Sequence, residues 1–137
     1  YIGEQRPEAA AEVHNMSFDS WYMSGKAPMP NASGYSVWDS ANKATAGLGT
    51  IPTKQETGHL AVTGEGKSAV KLESMTAFGI MAAGNIYTGA FQKVIGMSGA
   101  ALEWGTPFTS RPLALKGYLV KAICFLPSSL AVTARTI

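Results

Sequence analysis

The chain has 137 residues, enough for one ordinary domain around one core. With 46% apolar and 15% charged residues it reads as globular rather than disordered, and a net charge of +2 with no run of Lys or Arg argues against a nucleic-acid track. The single cysteine, Cys124, excludes an intrachain disulfide and the Cys-rich zinc patterns; flanked by Ile123 and Phe125, it reads as a small buried hydrophobe.

The opening is local and helical. Pro7 suits a first helical turn, residues 8–13 are good helix formers, and His14-Asn15 end the run. Residues 1–14 are therefore expected to be an extension, ahead of a β-domain over residues 15–137. Because the chain opens at Tyr1 rather than Met, it is expected to be a processed or excised piece, with any signal peptide or lipid-anchor cysteine upstream. No apolar run approaches the roughly 20 residues that span a bilayer.

After Asn15, Gly, Ser, Thr and Asn recur every few residues. Residues 17–23 read as a first strand. Residues 25–34 hold two Pro and two Gly and read as a loop. Residues 35–38 are short and extended, and residues 39–54, rich in Ala, Gly, Asn and Thr, form a second expected loop. A strand over 59–63 and a turn at Gly64-Glu65-Gly66 follow. Residues 68–73 alternate polar and apolar, as a half-buried strand does. Residues 75–83 suit a strand or a short buried helix equally. Residues 80–88 are interrupted at Gly84-Asn85, which points to a bulge or a close turn. Further strands are expected over 91–97, 101–104 and 113–123. Short strands at about ten-residue spacing with Gly, Pro and Asn between them favour an all-β fold, a jelly-roll-like β-sandwich with a short N-terminal helical turn.

Several chemistries fail on spacing. Gly64-Glu65-Gly66-Lys67-Ser68 carries a Gly-Lys-Ser, but Ala61 stands where a phosphate loop needs Gly and no strong helix follows. The two histidines, His14 and His59, form no metal-binding pair, and no Gly-x-Ser-x-Gly elbow occurs. Glycoside hydrolysis needs two carboxylates across a cleft; Asp39, Glu73 and Glu103 lie in apolar surroundings, but nothing in the sequence marks a pair.

Carbohydrate binding fits the side-chain inventory better. Sugars present C–H faces on which aromatic rings stack, and hydroxyls that Asn, Asp, Glu and Arg bond. Trp21-Tyr22, the stretch from Tyr35 through Trp38-Asp39 to Asn42, Asn85-Ile86-Tyr87, and Trp104 mix these types. Trp38 leads, because it enters a polar loop beside Asp39 and Asn42. Arg111, held between Pro107 and Pro112 in Pro107-Phe108-Thr109-Ser110-Arg111-Pro112, lies in an extended segment. There its guanidinium fork suits a ligand or an internal carboxylate equally.

In order along the chain stand Trp38-Asp39-Ser40-Ala41-Asn42, Gly66-Lys67-Ser68-Ala69-Val70-Lys71-Leu72, Ala83-Gly84-Asn85-Ile86-Tyr87-Thr88-Gly89-Ala90-Phe91, Gly105-Thr106-Pro107-Phe108-Thr109-Ser110-Arg111-Pro112 and Leu115-Lys116-Gly117-Tyr118. Over residues 15–118 this series resembles the putative carbohydrate metabolism domain of Bacteroidetes. The resemblance implies a jelly roll akin to carbohydrate-binding modules, exported and often lipid-anchored at the cell surface, with no agreed catalytic residues. The segment Asn15-Met16-Ser17-Phe18-Asp19-Ser20-Trp21 is similar to the first strand of such modules. By that analogy Asp19 would be a ligand of a structural calcium ion. Domains of this family are usually longer, and residues 122–130 depart from the family pattern. A homo-oligomer or a second fragment is therefore expected to complete the sheet.

The expected function is non-catalytic binding of a polysaccharide or oligosaccharide. Trp38 would be the stacking platform, Asn42 and Arg111 the hydrogen-bonding groups, and Tyr87 and Trp21 further stackers. Two alternatives stand beside it. A glycoside-processing enzyme requires two facing carboxylates. An assembly or adhesion module would bury Trp21, Trp38 and Trp104 alike.

Overall fold

The computed structural model of the chain describes residues 13–60, 66–96, 99–109, 114, 116–122 and 130–136. The expected N-terminal helix, Arg111 and Cys124 lie outside these residues. The chain divides into two compact units, His14–Thr106 and a second made of Tyr1–Val13 with Pro107–Ile137. The fold is all-β: antiparallel sheets with one short helix. No helix among the described residues is long and apolar enough to cross a membrane.

The first unit opens on a hairpin, β1 (Tyr22–Ser24) against β2 (Ala27–Met29). Gly25 takes φ +63° at the first position of the two-residue turn, where a residue with a Cβ is disfavoured. The loop expected over 25–34 thus contains a strand. Pro28 is tolerated in it because a two-stranded pair leaves one edge of each strand without a ladder to complete. Next comes β3 (Trp38–Asp39), then α1 (Asn42–Thr45) and a turn of 3-10 helix (Ala46–Leu48). Gly49, left-handed at φ +76°, ends that turn, and its N–H bonds Ala46 O. The loop expected over 39–54 is therefore partly helical, and it leads into β4 (Thr53–Glu56).

β4 pairs with β5 (Ala69–Leu72), the alternating segment. His59 and Leu60 lie outside any strand; the rest of the strand expected over 59–63 is not among the described residues. The segment that suited helix or strand is a hairpin, β6 (Met75–Ala77) and β7 (Ile80–Ala82). Its turn, Phe78-Gly79, has positive φ at both positions, +50° and +77°. That is the two-residue hairpin geometry that matches strand twist, though it strains a phenylalanine. The break at Gly84-Asn85 is real. A Cβ on Gly84 would lie 2.5 Å from Glu73 N and 2.7 Å from Pro52 O, two atoms that hydrogen-bond each other at 2.8 Å. The chain can pass there only without a side chain.

β8 (Tyr87–Ile95) and β9 (Gly99–Trp104) form the long hairpin, and β3 pairs with the start of β8, giving the order β3-β8-β9. In the second unit β10 (Lys116–Ala122) pairs with β11 (Leu130–Thr136), from Lys116 against Thr136 to Ala122 against Leu130.

The interior of the first unit is small and mostly polar. Ala27, Met29 and Ala46 form its apolar cluster, with Tyr22 and Ile51 packed against it. Around them Asn31, Asp39, Ser40, Asn42, Thr50, Thr53 and Ser68 are buried. Such groups are tolerated inside a protein only when they are hydrogen-bonded, and these side chains stitch the elements together. Asn42 donates to Pro28 O (3.0 Å) and Thr53 O (2.6 Å) and accepts from Thr53 N (3.1 Å). Thr53 Oγ1 donates to Asn85 O (2.8 Å), and Asn85 Oδ1 accepts from Ala41 N (2.9 Å). This relay fixes the start of β8 against β4 and the helix.

Candidate functional site

β8 and β9 bring two aromatic rings together. Trp104 closes β9 opposite Gly89, and Tyr87 opens β8 opposite Asp39. Gly89 is buried at φ +134°, and a Cβ there would run into the carbonyl oxygen of Glu103. The two strands therefore approach closely beside Trp104. The Tyr87 and Trp104 rings lie 5.1 Å apart, centroid to centroid, with their planes at 55°. Trp104 keeps 70% of its surface in solvent. The Tyr87 hydroxyl is enclosed and has no hydrogen-bond partner among the described residues. Burial, and then the nearby Asp39, push its pKa up to about 12, so the phenol stays neutral.

Asp39 anchors this corner. Its carboxylate accepts from Ser40 N (2.7 Å), Phe91 N (2.8 Å) and Lys43 Nζ (2.7 Å). The Lys43 contact runs from α1 back to the end of β3 and supplies the charge that a carboxylate with 1% exposure needs.

Trp38 lies opposite Thr88, one residue from the Asp39–Tyr87 pair, so it faces the other side of this short ladder from Tyr87. It is half-buried. Its ring packs edge-on against Phe18 at 5.1 Å, its Nε1 donates to His14 O (2.8 Å), and its backbone N donates to Asn31 Oδ1 (2.9 Å). Trp21 is also half-buried and donates its Nε1 to Phe18 O (2.7 Å). Asn42 has 0% exposure, and its amide is engaged with Pro28 and Thr53. The fold thus brings Tyr87 to Trp104, and sets Trp38, Trp21 and Asn42 in separate internal contacts. Trp104, which the sequence reading grouped with the aromatic stretches but did not name among the binding residues, is the exposed ring of the pair. Its signal was modest: a Trp at a strand end, directly before Gly105-Thr106-Pro107.

Asp19 reaches across to another segment. Its Oδ1 accepts from the backbone N–H groups of Lys67 and Ser68, and these two bonds, Lys67 first, hold its pKa below the usual carboxylate value. Calcium takes converging oxygen ligands. Here the carboxylate faces N–H donors, and no group of three or more His, Cys, Asp or Glu suited to a metal lies among the described residues. The donor set at Asp19 does not fit the expected calcium ion.

Among the described residues the other carboxylates are also engaged. Glu73 bonds Lys54 at 3.1 Å and lies 3.7 Å from Lys71; Lys54 first, then Lys71, lowers its pKa. Glu56 caps the N–H groups of Gly58 and His59, which lower its pKa. Glu103 accepts from Gln92 Nε2 (3.0 Å). A glycosidase acid needs a raised pKa, whereas Asp19, Glu56 and Glu73 are all shifted the other way.

Against known proteins, the sequence model of one family, described as a putative carbohydrate metabolism domain, matches residues 10–120. No curated protein and no solved structure matches the chain.

Proposed function

Because the chain belongs to the family of the putative carbohydrate metabolism domain, we propose that it is a non-catalytic glycan-binding module. Trp104 would be its stacking platform. The observation that carries this reading is a large, mostly exposed indole held against a second ring at a strand end. An exposed indole presents the apolar face that the C–H side of a sugar covers. The lowered pKa values of Asp19, Glu56 and Glu73 make these three carboxylates poor general acids. The exposure of Trp104 also departs from an assembly module in which every Trp is buried.

One stacked ring with exposed polar surroundings yields little beyond the cost of association, so affinity for an oligosaccharide is on the order of 0.1–1 mM. Titration of the folded chain with soluble plant and host glycans, followed by tryptophan fluorescence, tests the reading. A saturable response that survives Trp38→Ala and disappears in Trp104→Ala supports it. A response lost in Trp38→Ala and kept in Trp104→Ala moves the platform to Trp38. No response from the folded protein to any glycan overturns binding.

A further inference from the structure

Tyr87 and Trp104 invite a reading as two consecutive platforms along a glycan, but their geometry opposes it. Stacked carbon atoms approach to about 3.5–4 Å, so a sugar ring between two aromatic faces needs them roughly 7–8 Å apart. These centroids are 5.1 Å apart, which leaves no room between them. Nor can one flat surface lie on both rings, because their planes differ by 55°. The two residues also differ in access. Trp104 is 70% exposed, whereas Tyr87 is partly buried and its hydroxyl is enclosed. A tilted pair at this distance is a favourable aromatic contact in its own right. Directly opposite Trp104 on the neighbouring strand, Gly89 has no side chain with which to contact the indole.

Resting on the glycan-binding reading above, we infer that Trp104 is a single-ring site for individual soluble glycan chains, and that Tyr87 is a positioning residue that braces the indole. The site takes one sugar unit at a time. It does not take the flat face of a crystalline polysaccharide, which rewards several coplanar rings at once. Bracing matters because an unbraced surface indole loses rotamer freedom on binding, and that loss subtracts from a small affinity.

The test uses the whole chain and two kinds of probe. Gluco-, manno- and xylo-oligosaccharides of two to six units are titrated, and crystalline cellulose and chitin are used in sedimentation assays. A single-ring site gives an affinity per sugar unit that changes less than about threefold with chain length, and no retention on the crystals. A steep rise with length, or retention on a crystal that Trp104→Ala abolishes, overturns the inference while leaving glycan binding standing. Failure to bind either probe overturns both.

The brace is tested separately. Tyr87→Phe keeps the ring and is expected to keep both the affinity and the near-ultraviolet circular dichroism of Trp104. Tyr87→Ala is expected to weaken both. Equal loss in Tyr87→Phe and Tyr87→Ala overturns the bracing role, because the aromatic face alone would not then be what matters.

Discussion

Asn42 sits where the helix, β2 and β4 meet, and it has no exposed surface. One amide satisfies three backbone groups there: two carbonyls, of Pro28 and Thr53, and the N–H of Thr53. Removing it leaves those groups dry and unpaired, and each such group costs about 1–3 kcal/mol. Asn42→Ala is therefore expected to lower the unfolding free energy by about 3 kcal/mol, read from urea denaturation. A loss below about 1 kcal/mol would mean that water replaces the amide and that the relay through Thr53 to Asn85 is not what ties these elements. The sequence reading gave Asn42 to a ligand because it stood in a polar run beside Trp38. A polar residue looks the same in sequence whether its partner is a sugar or the protein's own backbone.

At the scale of elements, the β8–β9 hairpin decides where the candidate site stands. Gly89 lets the strands close to a distance that any Cβ would prevent, and it does so at a φ that favours glycine. Gly89→Ala is expected to destabilise the chain by about 2 kcal/mol or more. It should also disturb the Tyr87–Trp104 contact, seen as a loss of aromatic circular dichroism and of glycan response together. Unchanged stability would sink the close-approach argument. Gly84 makes the same kind of crossing over the Glu73–Pro52 hydrogen bond, and its break was legible as a Gly-Asn pair inside an apolar run. The β6–β7 hairpin was only half legible. Its apolar content suited a helix as well, and the Phe78-Gly79 turn lacks the Asn-Gly or Asp-Gly signal that marks such hairpins.

For the molecule as a whole, acid is the condition to which the charges respond. Asp19, Glu56 and Glu73 all have pKa values below their usual ones, through backbone N–H groups for the first two and through Lys54 for the third. A depressed carboxylate stabilises the fold above its unfolded pKa of about 4 and loses that contribution as pH falls through the folded value. Stability is thus expected to be level near neutrality and to fall below about pH 4. The fall should be shallower in Asp19→Asn, which has no carboxylate there to protonate. Thermal unfolding across pH 2–7 checks it, and a midpoint that rises on acidification contradicts the assignment. All three groups lie near the surface, so added salt should flatten the Glu73 contribution most.

By itself the sequence determined the all-β class, a strand at Ala69–Leu72, the break at Gly84-Asn85 and a carbohydrate-associated family, because these rest on local propensity, turn chemistry and ordered motifs; the alternating burial expected of that strand is not seen, since Lys71 and Leu72 are both exposed. A strand inside one supposed loop, at Ala27–Met29, and one that starts in the last two residues of the other, Thr53–Glu56, were decided by tertiary structure. Their pairing energy comes from partners on β1 and β5, which no short window of sequence contains. The exposure of the aromatic residues was decided there as well. Trp38 and Trp104 carry the same indole, and only the packing of Phe18 and His14 around one, and of Tyr87 beside the other, leaves Trp104 facing solvent. Exposure belongs to the folded neighbourhood, and that neighbourhood is assembled from residues far apart along the chain.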